Sequence, residues 1–327
     1  MSIDLLELIR LNLFSPVVLA FVAGLIATFV RSDLRFPEAL YTALSIYILL
    51  AIGLKGGVEL SETSIAEFWK PALASLILGA TIPLLCFPVA RYIGRLSVTD
   101  SAALAAHYGS VSVVTFVVAQ TLLVQINVPV EGFMTAILAI LELPSILIGL
   151  ILAQVGLKTK TQWGPTIQNI LTGKGLYLLI VGMAIGFLGG RDGFNKVEPF
   201  FVDPFNGVLM FFLLEMGMVT ASRLNELRGK TTIFVVLFAL IMPFINGALG
   251  LLAGYLSGLS LGGMTVLATL AASASYIVAT VAVRLALPQA NPGIYLTASL
   301  GITFPLNITV GIPLYFAMAR LLTGDTL

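Results

Sequence analysis

Glu142 stands inside an almost wholly apolar stretch, "LAILELPSILIGLILA", which runs from Leu138 to Ala153. A carboxylate at the centre of a membrane helix costs about 3 kcal/mol on insertion scales, so such a residue usually faces a cavity or an ion pathway. Pro144 follows two residues later, and a proline inside a helix leaves one backbone carbonyl without its usual donor. A carboxylate beside a free carbonyl supplies the oxygen ligands that a hard cation prefers.

Two short runs of small and hydroxylated residues interrupt other apolar segments of the chain. They are "HYGSVSVVT" at 107–115 and "AASASYIVAT" at 271–280. If the helices break at these runs, the N–H groups and positive dipole ends of the half-helices would favour an anion. The alternative is that serine and alanine only let helices pack tightly. The candidate substrate-binding residues are Gly109, Ser110, Ser112, Thr115, Ala272, Ser273 and Tyr276.

A cation site is predicted from Glu142 and from a related segment near the end of the chain, "GITFPLNITVG" at 301–311. This second segment also contains a proline, with a threonine and an asparagine beside it. The alternative is that Glu142 has a structural role and is protonated or paired with a lysine such as Lys55. Glu215 in "FLLEMGM" could likewise be either a cation ligand or a structural acid. The candidate cation ligands are Glu142, Ser273, Ser275, Thr303 and Asn307.

The composition places the chain in a membrane and argues against an enzyme. Hydrophobic residues make up 58% of the sequence and charged residues only 10%, whereas soluble domains carry roughly 25% charged residues. Cys86 and His107 are the single cysteine and the single histidine, and no zinc, P-loop or dinucleotide-binding motif is present. We therefore expect no cofactor and no transition-metal site. A net charge of +1 without a Lys/Arg cluster gives no sign of a nucleic-acid partner.

Ten apolar segments are long enough to cross a bilayer, which predicts an all-α polytopic membrane protein. They lie near 15–30, 37–54, 71–93, 101–123, 132–155, 175–190, 199–220, 232–256, 262–286 and 293–320. A polar stretch separates the fifth segment from the sixth. The sequence therefore predicts three regions: a five-helix repeat at 1–155, a linker at 156–174 and a second five-helix repeat at 175–327.

The two halves match each other weakly but in order. The matched pairs are Gly53 with Gly217, Pro83 with Pro243 and Pro144 with Pro305, at offsets of 164, 160 and 161 residues. Five spans are an odd number, so the second copy must enter the membrane from the opposite side, which makes an inverted repeat. In such folds the binding site lies near the midplane at interrupted helices, here the fourth and ninth spans. The alternative is that membrane helices share glycine and proline by chance.

The basic residues favour one orientation in the cell membrane. By the positive-inside rule, their distribution predicts that both termini lie outside and that the linker is cytoplasmic. Eleven of the 17 fall on the inside in this orientation, which leaves six outside. The eleven are Arg31, Arg35, Arg91, Arg95, Lys158, Lys160, Lys174, Arg223, Arg228, Lys230 and Arg284.

At the level of longer motifs the chain resembles the sodium-dependent bicarbonate permeases. The resemblance covers nearly the whole chain and rests on "IGLKGG" (52–57), "MGMVTASRLNELR" (216–228), "SLGGMTVLATLAASAS" (260–275), "LPQANPGIYLTASLGITFP" (287–305) and "VGIPLYF" (310–316). It implies a ten-helix symporter in which a core domain moves against a gate domain, assembled as a homotrimer. It also implies that the substrate anion and a coupling sodium ion are held where the broken fourth and ninth spans cross.

The chain departs from the family pattern at the site itself. Well-studied members carry Ser-Gly-Ser-Thr where this chain has residues 112–115, and an aspartate where it has Tyr276. Their Asp-x-Pro in the fifth span appears here as Glu142-Leu143-Pro144. The long loop between their halves, which a signalling partner can occupy, is reduced here to 156–174. These departures concern the substrate and its regulation more than the fold.

The expected function is therefore sodium-coupled symport of bicarbonate or a related small anion by a secondary active transporter, with no enzymatic step. The expected partners are the anion, sodium, the lipid bilayer and further copies of the chain. One alternative is a different cargo such as a monocarboxylate, because the phenol of Tyr276 suits a larger or less hydrated ligand. The other is a non-transporting membrane sensor that retains the fold.

Overall fold

The computed structural model describes residues 4–157, 163–224 and 231–324, and every regular element in these residues is helical. The helices are α1 Leu5–Leu13, α2 Pro16–Phe29, α3 Glu38–Ser61, α4 Ile65–Pro88, α5 Val98–Gly109, α6 Val113–Gln125, α7 Met134–Leu157, α8 Trp163–Leu171, α9 Lys174–Asn195, α10 Glu198–Phe201, α11 Phe205–Leu224, α12 Thr232–Ser257, α13 Leu261–Ala272, α14 Val278–Ala286, α15 Pro292–Leu296, α16 Phe304–Leu306 and α17 Ile312–Thr323. Three π-helical segments extend or join them, at Val89–Ile93, Thr297–Thr303 and Asn307–Gly311.

Eight stretches of the described residues are long and apolar enough to cross a membrane. A ninth is counted if α1 and α2, which meet at a bend of 63°, form one span. The sequence predicted ten. With α1 and α2 counted as one span, the remaining difference is the predicted span at 262–286, which the structure divides, within the run predicted to interrupt it, into α13 with 12 residues and α14 with nine. Neither piece crosses a bilayer by itself, because a helix needs about 20 apolar residues to do so. The protein is an all-helical integral membrane protein.

Helix α3 extends seven residues beyond the predicted end of the second span at residue 54. The predicted span ended before Lys55. The helix instead continues to Ser61 and carries Lys55 and Glu59 one turn apart on the same face. A hydropathy window detects the apolar part of a helix, and α3 continues past it into a polar environment.

The helices pack in two groups. The four-helix group contains α2, α3, α9 and α11, in which α2 lies along α11 and α3 lies along α9. Glycines permit this approach: a Cβ on Gly217 would lie 2.1 Å from the carbonyl oxygen of Phe21, and a Cβ on Gly53 would lie 3.0 Å from the Cα of Gly182. The larger group contains α4 to α7 and α12 to α17, whose central members pack around α5 and α13.

Helix α1 belongs by its contacts to the larger group. The side-chain amide of Asn12 donates hydrogen bonds to the carbonyls of Ile308 (2.6 Å) and Thr309 (3.1 Å). Both acceptors lie in the π-helical segment Asn307–Gly311, where the wider turns leave carbonyl oxygens available. The next helix, α2, lies along α11 in the four-helix group. The first 30 residues therefore connect the two groups.

Part of the predicted topology falls on residues outside the described ranges. Lys158 and Lys160 in the predicted linker lie there, and so do Arg228 and Lys230. Within the linker, the structure describes helix α8. The cytoplasmic position of the linker and the boundaries 1–155, 156–174 and 175–327 remain predictions.

Gly217→Ala should destabilise the fold, whereas Gly207→Ala on the same helix should not. The new Cβ at 217 would collide with backbone atoms of α2, and overpacking of this kind costs roughly 1–3 kcal/mol. A Cβ at 207 would have no neighbour within 4 Å, so alanine there brings only its better helix propensity, worth up to about 1 kcal/mol. Thermal unfolding of the purified variants in detergent should place Gly217→Ala several degrees below wild type. Equal midpoints for both variants would contradict the close approach of α2 and α11.

Candidate functional site

The first predicted break lies between α5 and α6. Helix α5 ends at Gly109, Ser110 is extended (φ −85°, ψ 155°), and Ser112 is the N-cap of α6. Glycine is needed at 109 because a Cβ there would lie 2.5 Å from Cγ of Pro83. The Ser112 hydroxyl accepts the N–H of Thr115 at 3.2 Å and the hydroxyl of Thr115 at 2.9 Å, which fixes the start of the second half-helix.

The second break lies between α13 and α14. Helix α13 ends at Ala272, and Ser273 is extended (φ −77°, ψ 167°). The Ala272 carbonyl, which no longer meets a helical N–H, accepts a hydrogen bond from the side-chain amide of Asn307 at 2.9 Å. Helix α14 begins after Ile277, with the hydroxyl of Ser275 accepting the N–H of Ala279 at 3.3 Å.

The two breaks contact each other directly. The backbone N–H of Ser112 donates to Oγ of Ser273 at 2.9 Å. In return, the backbone N–H of Ser275 donates to the carbonyls of His107 (2.8 Å) and Ser110 (3.1 Å). All five residues are buried. One backbone N–H of each break, that of Ser112 and that of Ser275, is thus satisfied by an acceptor from the other break or the helix end beside it.

A cavity of about 30 Å³ lies beside this contact. The larger group contributes Ser112, Glu142, Ser275 and Tyr276 to its wall. The four-helix group contributes Ser45, Ile48 and Leu49 from α3 and Phe212 from α11. The cavity is small compared with ligand pockets of roughly 300–1,000 Å³. It lies at the boundary between the two groups of helices.

Glu142 faces this cavity from α7 and is 1% exposed. The hydroxyl of Ser110 donates to its Oε1 at 3.4 Å. Helix α7 runs through Pro144 without interruption. Among the described residues, no lysine or arginine forms an ion pair with Glu142, and Lys55 lies instead 3.9 Å from Glu59. The hypothesis that Lys55 pairs with Glu142 is therefore wrong.

The other predicted cation ligands separate into two sets. Ser275 lines the same cavity as Glu142, and Ser273 lies immediately behind it. Thr303 and Asn307 have protein partners of their own. Thr303 Oγ1 lies 2.7 Å from the hydroxyl of Tyr108 and donates to the carbonyl of Ala239 at 2.8 Å. Asn307 accepts the hydroxyl of Tyr315 at 3.0 Å in addition to holding Ala272.

The predicted substrate residues also divide into lining and supporting positions. Ser112 and Tyr276 line the cavity, and the hydroxyl of Ser112 donates to that of Tyr276 at 3.5 Å. The phenol ring of Tyr276 packs edge-on against Phe304, with ring centroids 5.5 Å apart. Gly109, Ser110, Thr115, Ala272 and Ser273 do not line the cavity and shape the two breaks behind it.

Sequence reasoning missed the contribution of the four-helix group. Ser45 was the available signal, because it is a polar residue in the apolar second span. Its hydroxyl donates to the backbone carbonyl of Tyr41 at 2.8 Å, as the hydroxyls of many helical serines do, so its sequence position alone does not indicate a site. On this side Tyr41 stacks on Phe212, with ring centroids 5.4 Å apart, and Lys174 lies 5.7 Å above the Tyr41 ring. One turn from Phe212, the Oε2 atom of Glu215 is buried and has no hydrogen-bond partner among the described residues.

His107 has a structural position. Its Nδ1 lies 2.7 Å from the carbonyl of Ala103, and its Nε2 lies 3.2 Å from the hydroxyl of Thr280. The ring stacks on Tyr295 with centroids 4.4 Å apart. Both ring nitrogens therefore have partners, and the imidazole joins α5 to α14. Among the described residues no three His, Cys, Asp or Glu side chains come together as a metal site.

Comparison with known families gives a match over most of the chain. The family model of the Na+-dependent bicarbonate transporter superfamily matches residues 16–320, from the start of α2 into α17. No curated protein matches the chain. The family expected from the motifs is confirmed.

Ser273→Ala should destabilise the protein because it removes the acceptor of the Ser112 N–H. A buried donor without a partner costs roughly 1–3 kcal/mol. Ser257→Ala is the matched control, since the Ser257 hydroxyl is only half-buried and donates locally to Gly254 at 3.1 Å. Thermal unfolding in detergent should lower the midpoint of Ser273→Ala by several degrees and leave the control near wild type. A midpoint unchanged in both would show that the two breaks do not depend on this hydrogen bond.

Proposed function

This chain belongs to the Na+-dependent bicarbonate transporter superfamily, and we propose that it is a secondary active transporter that couples sodium to the movement of bicarbonate or a related small anion. The proposal assigns both ions to the cavity between the two helix groups. In this proposal Ser112 and Tyr276 bind the anion, and Glu142 and Ser275 bind sodium.

Two helix N-termini support the anion site. Val113 and Val114 in the first turn of α6 line the cavity, and so does Val278 at the start of α14. The first N–H groups of a helix have no carbonyl partner within it and carry the positive end of the helix dipole. Small anions are bound by this arrangement in many proteins. The hydroxyls of Ser112 and Tyr276 add donors beside the N-termini.

The observation that carries the sodium assignment is the buried carboxylate of Glu142. It faces the cavity, and its hydrogen-bond partner among the described residues is a neutral hydroxyl at 3.4 Å. An ionised carboxylate in such a site is stable only with a compensating cation. Oxygen ligands from Glu142 and Ser275 suit the hard sodium ion. Sodium bound there would raise the affinity for the anion, and linkage requires the anion to raise the affinity for sodium equally.

Contacts that recur at the repeat offset support the inverted five-plus-five repeat with crossing broken helices. Glu131 accepts the backbone N–H of Ser260 at 2.5 Å, and Asp100 accepts that of Asn291 at 2.8 Å. At the repeat offset of 160 residues, position 100 in the first half corresponds to 260 in the second, and position 131 corresponds to 291. A twofold operation between the halves therefore exchanges the two contacts. Other contacts join matched positions to each other, as residues near such an axis would: Cys86 with Asn246, and Ser112 with Ser273.

The four-helix group corresponds to the gate domain in this proposal, and the larger group corresponds to the core domain. Transport would displace the core, with both helix breaks and their ions, against the gate. The proposal keeps the predicted topology, with both termini outside and the linker cytoplasmic, and the homotrimer that the resemblance implies.

Glu142→Gln should abolish sodium-driven uptake without preventing reconstitution. The amide preserves the shape of the side chain but removes the charge that would hold sodium, and we expect the initial rate to fall at least about tenfold, in line with the loss of roughly 1.4 kcal/mol or more. The measurement is uptake of labelled bicarbonate into proteoliposomes under an inward sodium gradient, compared with an equal potassium gradient.

Glu67→Gln is the matched control, because Glu67 is an exposed acid in the first turn of α4. It should transport at the wild-type rate. Uptake by the wild type that is equally fast in sodium and in potassium would contradict sodium coupling. Uptake of a different anion in place of bicarbonate would retain the coupling and change the cargo.

A further inference from the structure

A second and larger cavity of about 450 Å³ lies between the two helix groups. Its wall is formed by α3, α6, the start of α7 and the segment from α10 to the start of α11. We name it the polar vestibule after its hydrophilic lining residues, which are Lys55, Glu59, Gln120, Thr121, Gln125, Thr135 and Asn206. None of these residues belongs to the site described above.

The polar vestibule adjoins the small cavity along two shared helices. On α3 the small cavity is lined by Ile48 and the vestibule by Ile52. On α6 the corresponding residues are Val113 and Val117. In both helices the step is four residues, or about 6 Å along the axis. The inner end of the vestibule therefore lies about one helical turn from the helix breaks.

On the side nearer the beginning of α3, the wall of the small cavity is formed partly by Phe212, which stacks on Tyr41 beneath the ammonium group of Lys174. Lys55 lies four turns further along α3 than Tyr41. The vestibule thus adjoins the small cavity on the side away from this aromatic stack, and at about 450 Å³ against about 30 Å³ it is the larger of the two cavities.

Lys55 and Glu59 are the charged residues of the vestibule wall. Lys55 Nζ lies 3.9 Å from Glu59 Oε1, and the two side chains are 57% and 24% exposed. At this distance and exposure the pair is worth less than about 1 kcal/mol, and a lysine that precedes its glutamate by four residues has the weaker orientation. The ammonium group is therefore free to attract a passing anion.

Lys55 lies on the same helix as residues that lead from the vestibule to the site. Going back along α3 from Lys55, Ile52 lines the vestibule and Ile48 lines the small cavity. Low-dielectric walls on both sides focus the field of a single charge within a cleft.

We propose that the polar vestibule is the entry site for the anion and that Lys55 determines the charge preference of that entry. The inference rests on the proposed function for the identity of the anion, but the entry site itself can be tested without transport. Lys55 attracts a small anion into the vestibule, and the anion then passes one helical turn to the N-termini of α6 and α14. Glu59 lowers the local potential and keeps the anion from remaining on Lys55.

The first experiment measures access to the vestibule by cysteine labelling. Cys86 is buried and is the only native cysteine, so a cysteine placed by Gln120→Cys reports on the vestibule alone. We compare its rate of reaction with a negatively charged sulfonate methanethiosulfonate and with a positively charged ammonium methanethiosulfonate. The anion-to-cation ratio is the rate with the anionic reagent divided by the rate with the cationic reagent. This ratio should be higher for the cysteine at position 120 than for a free thiol of equal reactivity in solution.

Added to Gln120→Cys, Lys55→Gln should lower this anion-to-cation ratio about tenfold, the lower range for electrostatic focusing in a cleft. Glu59→Gln should raise it, and Lys55→Arg should leave it unchanged. Lys70→Gln is the matched control, because Lys70 is an exposed lysine of α4 that lines a different groove. An anion-to-cation ratio that Lys55→Gln leaves unchanged, or a cysteine that does not react at all, would overturn the proposal.

The second experiment measures initial rates of labelled bicarbonate uptake in proteoliposomes. Lys55→Gln should raise the KM for bicarbonate about tenfold while the maximal rate changes less than about twofold, since entry and not translocation is affected. Lys55→Arg should restore the KM. An unchanged KM in an active Lys55→Gln variant would refute the role of Lys55 in transport. A wild type that shows no sodium-driven uptake would instead refute the proposed function, and the labelling ratios would still decide on the vestibule.

Discussion

The hydrogen bonds between the two helix breaks are the interaction on which the rest of the structure depends. Inside a bilayer no water is available to satisfy exposed backbone groups, and each unsatisfied group costs several kcal/mol. Here Ser273 accepts the N–H of Ser112, and the N–H of Ser275 is accepted by two carbonyls of the other break. An interruption in one helix is therefore stabilised by the interruption of the other helix beside it.

The same pairing determines where charge can be placed. Two half-helices begin beside the contact, and their N-termini favour a negative ion. Glu142 brings a carboxyl group to the same cavity from α7. Two like charges in a space of low dielectric repel each other by several kcal/mol at separations of about 4 Å, even when the effective dielectric constant is near 20. In the proposed mechanism, an anion would therefore share this cavity with an ionised Glu142 only if a cation accompanied it, and this repulsion is the physical reason for proposing coupling.

The sequence predicted the positions of the two helix breaks better than the contacts of the polar residues around them. Hydroxylated runs at matching positions and an acid in an apolar span can be recognised without a structure. Polar groups cost free energy in the hydrocarbon core of a membrane, so their presence in an apolar span indicates a structural or functional role. Thr303 and Asn307 were grouped with Glu142 for their oxygen atoms, yet both are engaged with neighbours such as Tyr108 and Ala272. Which polar groups satisfy one another depends on helix packing, and a single sequence does not contain that information.

The broken ninth span and the end of the second span show what a hydropathy window can and cannot detect. The window counts continuous apolar length, so it reports 262–286 as one span, and only the hydroxylated run at 271–280 predicted the break that divides it into α13 and α14. The same window ends the second span before Lys55, although the helix continues to Ser61. Residues at both places line cavities between helices: Ser275 and Tyr276 at the break, and Lys55 and Glu59 on α3. Residues that line such a space follow neither the rules for lipid-facing positions nor those for water-facing ones.

The elbow between α1 and α2 has a mechanical consequence. Asn12 fastens α1 to the π-helical carbonyls of the larger group, whereas α2 is held along α11 by the close approach at Gly217. Only Phe14 and Ser15 separate these helices, so the facing ends Leu13 and Pro16 are three residue steps apart, which span about 10 Å when fully extended. The N-terminal segment thus acts as a short tether across the boundary between the two groups: while both attachments hold, the facing ends of α1 and α2 cannot separate farther than this joint allows.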